Sequence, residues 1–212
     1  MEFIIRNRAV LLLVFTLLLL VSSVSRSATE NKRLMVFGDS LSAAYGLEID
    51  KGWVTLLESK LQERHSRWQV TNLSISGETS SGGLARLPAA LKRYKPDLVL
   101  LELGANDGLR GTPLKSMRNN FKQMLTLLQE QKIPVVFFEM QIPPNYGPHY
   151  TKGFNKIYYD LGKEFNVPVL PFFLDGVAGV SKLNQPDGIH PAAKAQPLLL
   201  ENVWPELQKY LH

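Results

Sequence analysis

Leu34-Met35-Val36-Phe37-Gly38-Asp39-Ser40 is an unbroken apolar run that stops at a glycine and gives way to two polar side chains. A strand covered on both faces reads as continuous apolar residues rather than as an alternation. Residues 34–37 therefore predict a buried strand of a parallel sheet, with Ser40 on the loop leaving its carboxyl end. Working outward, further short apolar segments occur at 69–75, 98–101, 135–138 and 167–170. Between them, apolar residues recur at helical spacing: Val54, Leu57 and Leu61; Leu84, Leu87 and Leu91; Leu114, Met117, Phe121, Met124, Leu125 and Leu128; Phe154, Ile157, Tyr158, Leu161 and Phe165. Thr79 or Ser80 is the expected cap of the second of these helices. A last helical stripe runs from Leu198 to Tyr210, and Pro197 and Pro205 are expected to kink or divide it. Strands alternating with helices predict an α/β domain, with helices on both faces of a parallel sheet giving three layers. The Met and aromatic positions in these stripes read as core, with no cofactor role.

The first 27 residues have a different character. Arg6 and Arg8 precede thirteen residues from 9 to 21 interrupted only by Thr16, then small polar residues with tolerable cleavage points after Ser25, Ser27 or Ala28. That order of charged, apolar and small-residue regions predicts a secretory signal peptide over 1–27, with the functional domain over 28–212. As a helix of about 1.5 Å per residue the apolar run reaches about 20 Å, short of a hydrocarbon core of about 30 Å. No stable membrane anchor is expected after cleavage, and the protein is expected in the periplasm or secreted. Cys is absent, which excludes thiolate nucleophiles, Cys-based zinc sites, disulfides and a lipidated amino-terminal cysteine. The net charge of +5 includes a leader contribution, and the remainder, about +3, is spread without a basic run. Nucleic-acid binding has no support.

In open α/β sheets ligands bind beyond the carboxyl ends of the strands. Ser40 follows the first strand, Gly77 the second and Asn106 the third, so the three are expected to converge on one rim. A serine hydroxyl is a weak nucleophile near neutral pH and needs an adjacent base. Of the four histidines, His65 lies among Glu63, Arg64 and Arg67, His149 has no carboxylate close by, and His212 is terminal. Only His190 has an acid placed to orient it, Asp187, three residues earlier. A carboxylate bonded to one ring nitrogen sets the tautomer and stabilises the imidazolium that forms during reaction. The backbone N–H groups of Ser40 and Gly77 and the Asn106 amide are the candidate donors to the oxyanion. Each island has a plainer reading as a turn or a cap, including Asn106-Asp107-Gly108; together they amount to a nucleophile, a base, its orienter and oxyanion donors. Asp39 and Asp107 read as structural, bonding loop backbone. No Gly-x-Ser-x-Gly elbow occurs, which argues against the common α/β-hydrolase plan, and His-Glu-x-x-His, a phosphate loop and a dinucleotide fingerprint are also missing.

Gly38-Asp39-Ser40-Leu41, the lone Gly77, Gly104-Ala105-Asn106-Asp107 and Asp187-Gly188-Ile189-His190 resemble the four signatures of the SGNH (GDSL) hydrolase superfamily. The longer stretches at 38–43, 83–89, 102–111 and 187–191 are similar to its periplasmic thioesterase, lysophospholipase and arylesterase branch. The resemblance spans about 34–211. It implies a flavodoxin-like sheet of order 2-1-3-4-5, with Ser40, Asp187 and His190 catalytic and Ser40, Gly77 and Asn106 around the oxyanion. It also implies a broad hydrolase of acyl thioesters, aryl esters and lysophospholipids with no metal, and no cofactor is expected; a monomer acting on small-molecule acyl substrates is expected. Leu109, Arg110 and Gly111, in a loop over the acyl chain, and Pro144 are the expected substrate contacts. Ala105 stands where close members carry a second glycine, so a positive φ there would strain the loop. The stretch 143–147 is shorter than in those members, which bears on acyl length. Two rival readings stay open: an O-acetyl esterase of cell-envelope polysaccharide, and a non-catalytic binding module on the same fold.

Overall fold

The chain separates into two units, Met1–Glu30 and Asn31–His212, and the computed structural model describes residues 31–211. The leader expected over 1–27 and the terminal His212 lie outside the described residues. Five parallel strands, β1 (Lys32–Gly38), β2 (Trp68–Asn72), β3 (Leu98–Glu102), β4 (Val135–Phe138) and β5 (Val169–Leu170), pair in the order β2-β1-β3-β4-β5. Helices α1 (Trp53–Glu63), α2 (Ser80–Tyr94), α3 (Ala105–Leu109), α4 (Leu114–Glu130), α5 (Pro148–Phe165) and α6 (Gln196–Leu207) complete the fold.

Neighbouring residues of β4 show why the sheet carries helices on both sides. Successive strand side chains point to opposite faces. Phe137 meets Phe121 of α4 at 4.9 Å and Tyr158 of α5 at 4.8 Å between ring centroids. Phe138 meets Trp53 of α1 at 5.9 Å and Phe173 at 5.4 Å. One face is thus covered by α2, α4 and α5, the other by α1 and α6. Each fully buried aromatic contributes roughly 1.5–3 kcal/mol relative to leaving it exposed.

The register levels the ends that matter. Val36 of β1 pairs with Asn72 of β2, and Gly38 pairs with Glu102 of β3. The loops carrying Ser40, Gly77 and Asn106 therefore leave the same edge of the sheet.

Three boundaries differ from the sequence reading. The second strand, expected over 69–75, ends at Asn72 because Asn72 Oδ1 turns back to accept the Ser74 N–H at 3.1 Å, although Leu73 and Ile75 still donate to β1 carbonyls. The fifth strand, expected from 167, is confined to Val169–Leu170. Pro197 neither kinks nor divides a helix: it sits in the first turn of α6, where an N–H has no partner to lose. Pro205 falls near the end of α6, and a 3-10 turn at Gln208–Tyr210 follows.

Candidate active site

β1 ends at Gly38, and the chain tightens at once, with Ala43 N–H donating to Asp39 O and Tyr45 N–H to Ser40 O. Ser40 is buried. Its Oγ lies 2.9 Å from His190 Nε2, and His190 Nδ1 lies 2.7 Å from Asp187 Oδ2. The other oxygen, Asp187 Oδ1, accepts the backbone N–H groups of Ile189 and His190, both at 3.0 Å. These bonds fold 187–190 into a turn that aims the imidazole at Ser40. The His190 backbone N–H, then burial against it, the imidazole and the Ile189 N–H set the Asp187 carboxyl, which is pulled down to about 2. It is a carboxylate at any pH at which the imidazole works.

This turn lies between the named strands and helices; backbone bonds from Gln185 N–H to His190 O at 2.7 Å and from Ala192 N–H to Leu183 O at 2.8 Å close it, and side chains pin it further. Gln185 Nε2 donates to Tyr45 O at 2.8 Å, and Asn184 Nδ2 donates to the carbonyls of Val177 and Val180. The Tyr45 ring rests on the His190 imidazole, centroids 4.4 Å apart.

Asn106 lies in the first turn of α3, its Nδ2 donating to Asp39 Oδ2 at 3.0 Å. Asp107, next along, accepts the Ser80 N–H at 2.6 Å and the Ser80 hydroxyl at 2.7 Å, tying α3 to the start of α2, which Thr79 caps. Gly77 has φ of +79°, a conformation that leaves its backbone free of a side chain on that rim. Arg110 Nη2 donates to Gly77 O at 3.0 Å and joins the Gly77 loop to α3.

Ser40, Asn106 and His190 share one cavity of about 390 Å³. Its far wall is apolar, with Leu109, Met140, Ile142, Pro144, Phe172 and Leu174. Leu109 and Pro144, both expected to touch substrate, are in that lining, whereas Arg110, Gly111 and Gly77 are not. Arg110 is turned to the Gly77 carbonyl, and Gly111 stands at an open turn. Among the described residues no group of three or more Asp, Glu or His side chains could hold a metal.

Ala105 carries no strain. It is the first residue of α3 and is absent from the positive-φ positions; the left-handed residue is Gly104, with φ of +113°. A Cβ on Gly104 would lie 2.1 Å from the hydroxyl of buried Tyr158, which donates to Leu103 O. Gly104→Ala should therefore destabilise the protein by about 2–6 kcal/mol, combining left-handed strain of about 1–3 kcal/mol with overpacking of similar size. Urea unfolding measures it, and an unchanged midpoint would refute this account of Gly104.

Three features escape the sequence reading. Tyr45 is one; it belongs to no recognisable motif. The second is Glu102, a buried acid whose Oε2 accepts the Ser42 hydroxyl at 2.7 Å and the Asp39 N–H at 3.3 Å. Burial first, then the Asp39 charge, push its carboxyl well above the usual range. An acid closing the all-apolar strand Leu98–Glu102 was its one visible signal. The third is Asp39, expected to bond loop backbone: Oδ1 does accept the Leu41 N–H at 3.0 Å, but Oδ2 holds the Asn106 side chain.

Comparison with known proteins places this geometry among relatives. A family model described as the GDSL-like Lipase/Acylhydrolase family matches residues 36–196. Esterase TesA of Pseudomonas aeruginosa is 48% identical over 178 residues, covering 84% of this chain and 89% of the relative. The thioesterase 1/protease 1/lysophospholipase L1 of Escherichia coli K12 is 43% identical over 175 residues, covering 82% and 83%. The crystal structure of the psychrotrophic esterase EstA from Pseudoalteromonas sp., inhibited by monoethylphosphonate, superposes with a TM-score of 0.82 at 43% identity, covering 85% of this chain and 98% of that one.

Proposed function

The chain belongs to the GDSL-like lipase/acylhydrolase family and is a hydrolase of ester bonds; from that premise we propose that it cleaves acyl esters and thioesters through an acyl-enzyme formed on Ser40. His190 Nε2 takes the Ser40 proton as Oγ bonds to the substrate carbonyl carbon. The oxyanion is met by the N–H groups of Ser40 and Gly77 and by the Asn106 amide, and Asp187 balances the imidazolium. His190 then returns the proton to the departing alcohol or thiol as the bond to the carbonyl carbon breaks. Water, deprotonated by the same imidazole, then attacks the acyl-enzyme, and the imidazolium returns that proton to Ser40 Oγ as the acyl–Oγ bond breaks, releasing the acid and free Ser40.

One observation carries this reading: a Ser–His–Asp chain of 2.9 and 2.7 Å contacts at the mouth of a largely apolar cavity of about 390 Å³. An apolar cavity of this size suits an acyl chain of several carbons better than an acetyl group, whose few atoms would leave most of that wall uncovered. Substrates are therefore acyl thioesters, aryl esters and lysophospholipids. The enzyme is read as a monomer acting in the periplasm after removal of a leader over 1–27. Among the described residues no helix is long and apolar enough to cross a membrane.

Substrate profiling tests the proposal. The purified protein should hydrolyse medium-chain acyl-CoA, nitrophenyl esters and lysophospholipid at least about tenfold faster, by kcat/KM, than acetylated sugars, since two or more buried methylenes discriminate by at least that much. A preference for acetyl sugars would replace this reading with the polysaccharide O-acetyl esterase. Failure of a fluorophosphonate to label folded protein would leave a binding module.

A further inference from the structure

Asp39 is fully buried, and its two carboxylate oxygens serve different neighbours. Oδ1 accepts the Leu41 N–H and keeps the Ser40 turn closed, while Oδ2 reaches across the sheet edge to Nδ2 of Asn106 at 3.0 Å. We infer that Asp39 is a positioning residue of the hydrolytic reaction, orienting the Asn106 amide so that its nitrogen rather than its oxygen faces the attacked carbonyl. This inference rests on the Ser40 reading above and deepens it.

The reason lies in the near symmetry of a primary amide. Its oxygen and nitrogen ends have almost the same shape, and only the hydrogen-bond surroundings distinguish them. A reversed Asn106 would present lone pairs to a developing negative charge. A carboxylate oxygen can only accept, so Asp39 selects the orientation with nitrogen toward it. One N–H of Nδ2 is then used by Asp39, and the second remains for the cavity that Asn106 lines.

The remaining charged neighbours keep Asp39 in its accepting form. Glu102, on β3, bonds the Asp39 N–H and the Ser42 hydroxyl through one oxygen. Two buried carboxyls this close cannot both be charged; Glu102 is the more strongly raised and takes the proton. Burial raises Asp39 to about 6, opposed by the Leu41 N–H, the Asn106 amide and the His190 charge, while Asp107 adds a small repulsion. Near neutral pH Asp39 is the ionised member.

Asp39→Asn separates the two tasks. Its oxygen can still accept the Leu41 N–H, but its NH2 group then faces Asn106 and forces that amide to turn over. The expected result is a fall in kcat of about 10²- to 10³-fold, the range for removing one oxyanion donor, with KM within about threefold. Asn106→Ala should lose a similar factor, and the double variant should be no more than about threefold slower than either single one, because both remove one interaction. Losses that multiply in the double variant, or Asp39→Asn retaining more than about a tenth of kcat, overturn the inference. An Asn106→Ala variant with full activity would instead overturn the oxyanion assignment itself. If Asp39→Asn does not fold, NMR of the unaltered protein decides: the two Asn106 amide protons should be widely separated, the one facing Asp39 downfield. Two protons of nearly equal shift would refute the contact.

Discussion

Ser40→Ala will lower kcat on a nitrophenyl ester by about 10⁴- to 10⁶-fold while leaving the fold intact, the range seen when the nucleophile of such a unit is removed. The hydroxyl is the only atom lost, and it projects toward His190 rather than into the core, so no cavity of consequence forms. What remains is a cavity, an imidazole and oxyanion donors with nothing to attack the carbonyl. Residual hydrolysis should come from water alone and should be insensitive to fluorophosphonate. A Ser40→Ala protein retaining more than about one per cent of kcat would move the chemistry to another residue, since removing a true nucleophile leaves far less.

Asp187→Asn is expected to cost about 10³- to 10⁴-fold in kcat near pH 7, and the cause is a tautomer rather than a lost charge alone. Oδ1 of Asp187 is committed to two backbone N–H groups, those of Ile189 and His190. An asparagine must keep its oxygen there, which leaves its NH2 group against His190 Nδ1. A donor at Nδ1 requires that nitrogen to be the acceptor, so the proton moves to Nε2. A protonated Nε2 cannot take the Ser40 proton. The measurement is kcat against pH for both proteins, and wild-type activity in Asp187→Asn would show that the turn alone orients the imidazole. Because the Asp187 carboxyl is held down at about 2, against an ordinary 3.8, its protonation does not limit activity between pH 5 and 8. The same shift favours the folded state above pH 3.8, and that contribution is lost as the pH falls through about 2. Asp187 is 38% exposed on its side chain, so solvent screening keeps the stability effect small.

Asp39 and Asp187 share a device. In each, one carboxylate oxygen closes a backbone turn and the other bonds a side chain to which the proposed mechanism gives a role, Asn106 in one case and His190 in the other. The turn fixes where the carboxylate is, and the carboxylate fixes which face of its partner is offered. Such dual use explains why aspartate suits both positions: its short side chain reaches its own turn and a neighbour at once.

Much of the sheet was legible because a buried strand has only one apolar signature, and 34–37, 98–101 and 135–138 carry it without interruption. The pairing of Asp187 with His190 was legible because both lie within one turn of chain. Strand ends were less so. Asn72 ends β2 through a side-chain bond that no periodicity reveals. Pro197 and Pro205 looked like breaks because a proline's effect depends on where in a helix it falls, and only the start of α6 shows that Pro197 is in its first turn.

By itself the sequence determined the layered α/β architecture, the alternation of elements and the residue types able to form a nucleophile, a base and oxyanion donors. These follow from local patterning, which propagates through only a few residues. The tertiary structure decided which of them meet: that Gly38 and Glu102 share a register, that Asp39 reaches Asn106 from a different strand, that Tyr45 lies on His190, and that Arg110 turns away from the cavity. Each of those contacts joins segments 25 or more residues apart. Only the packing of the whole sheet brings such segments within hydrogen-bonding distance, and an angstrom of slip between strands would separate them.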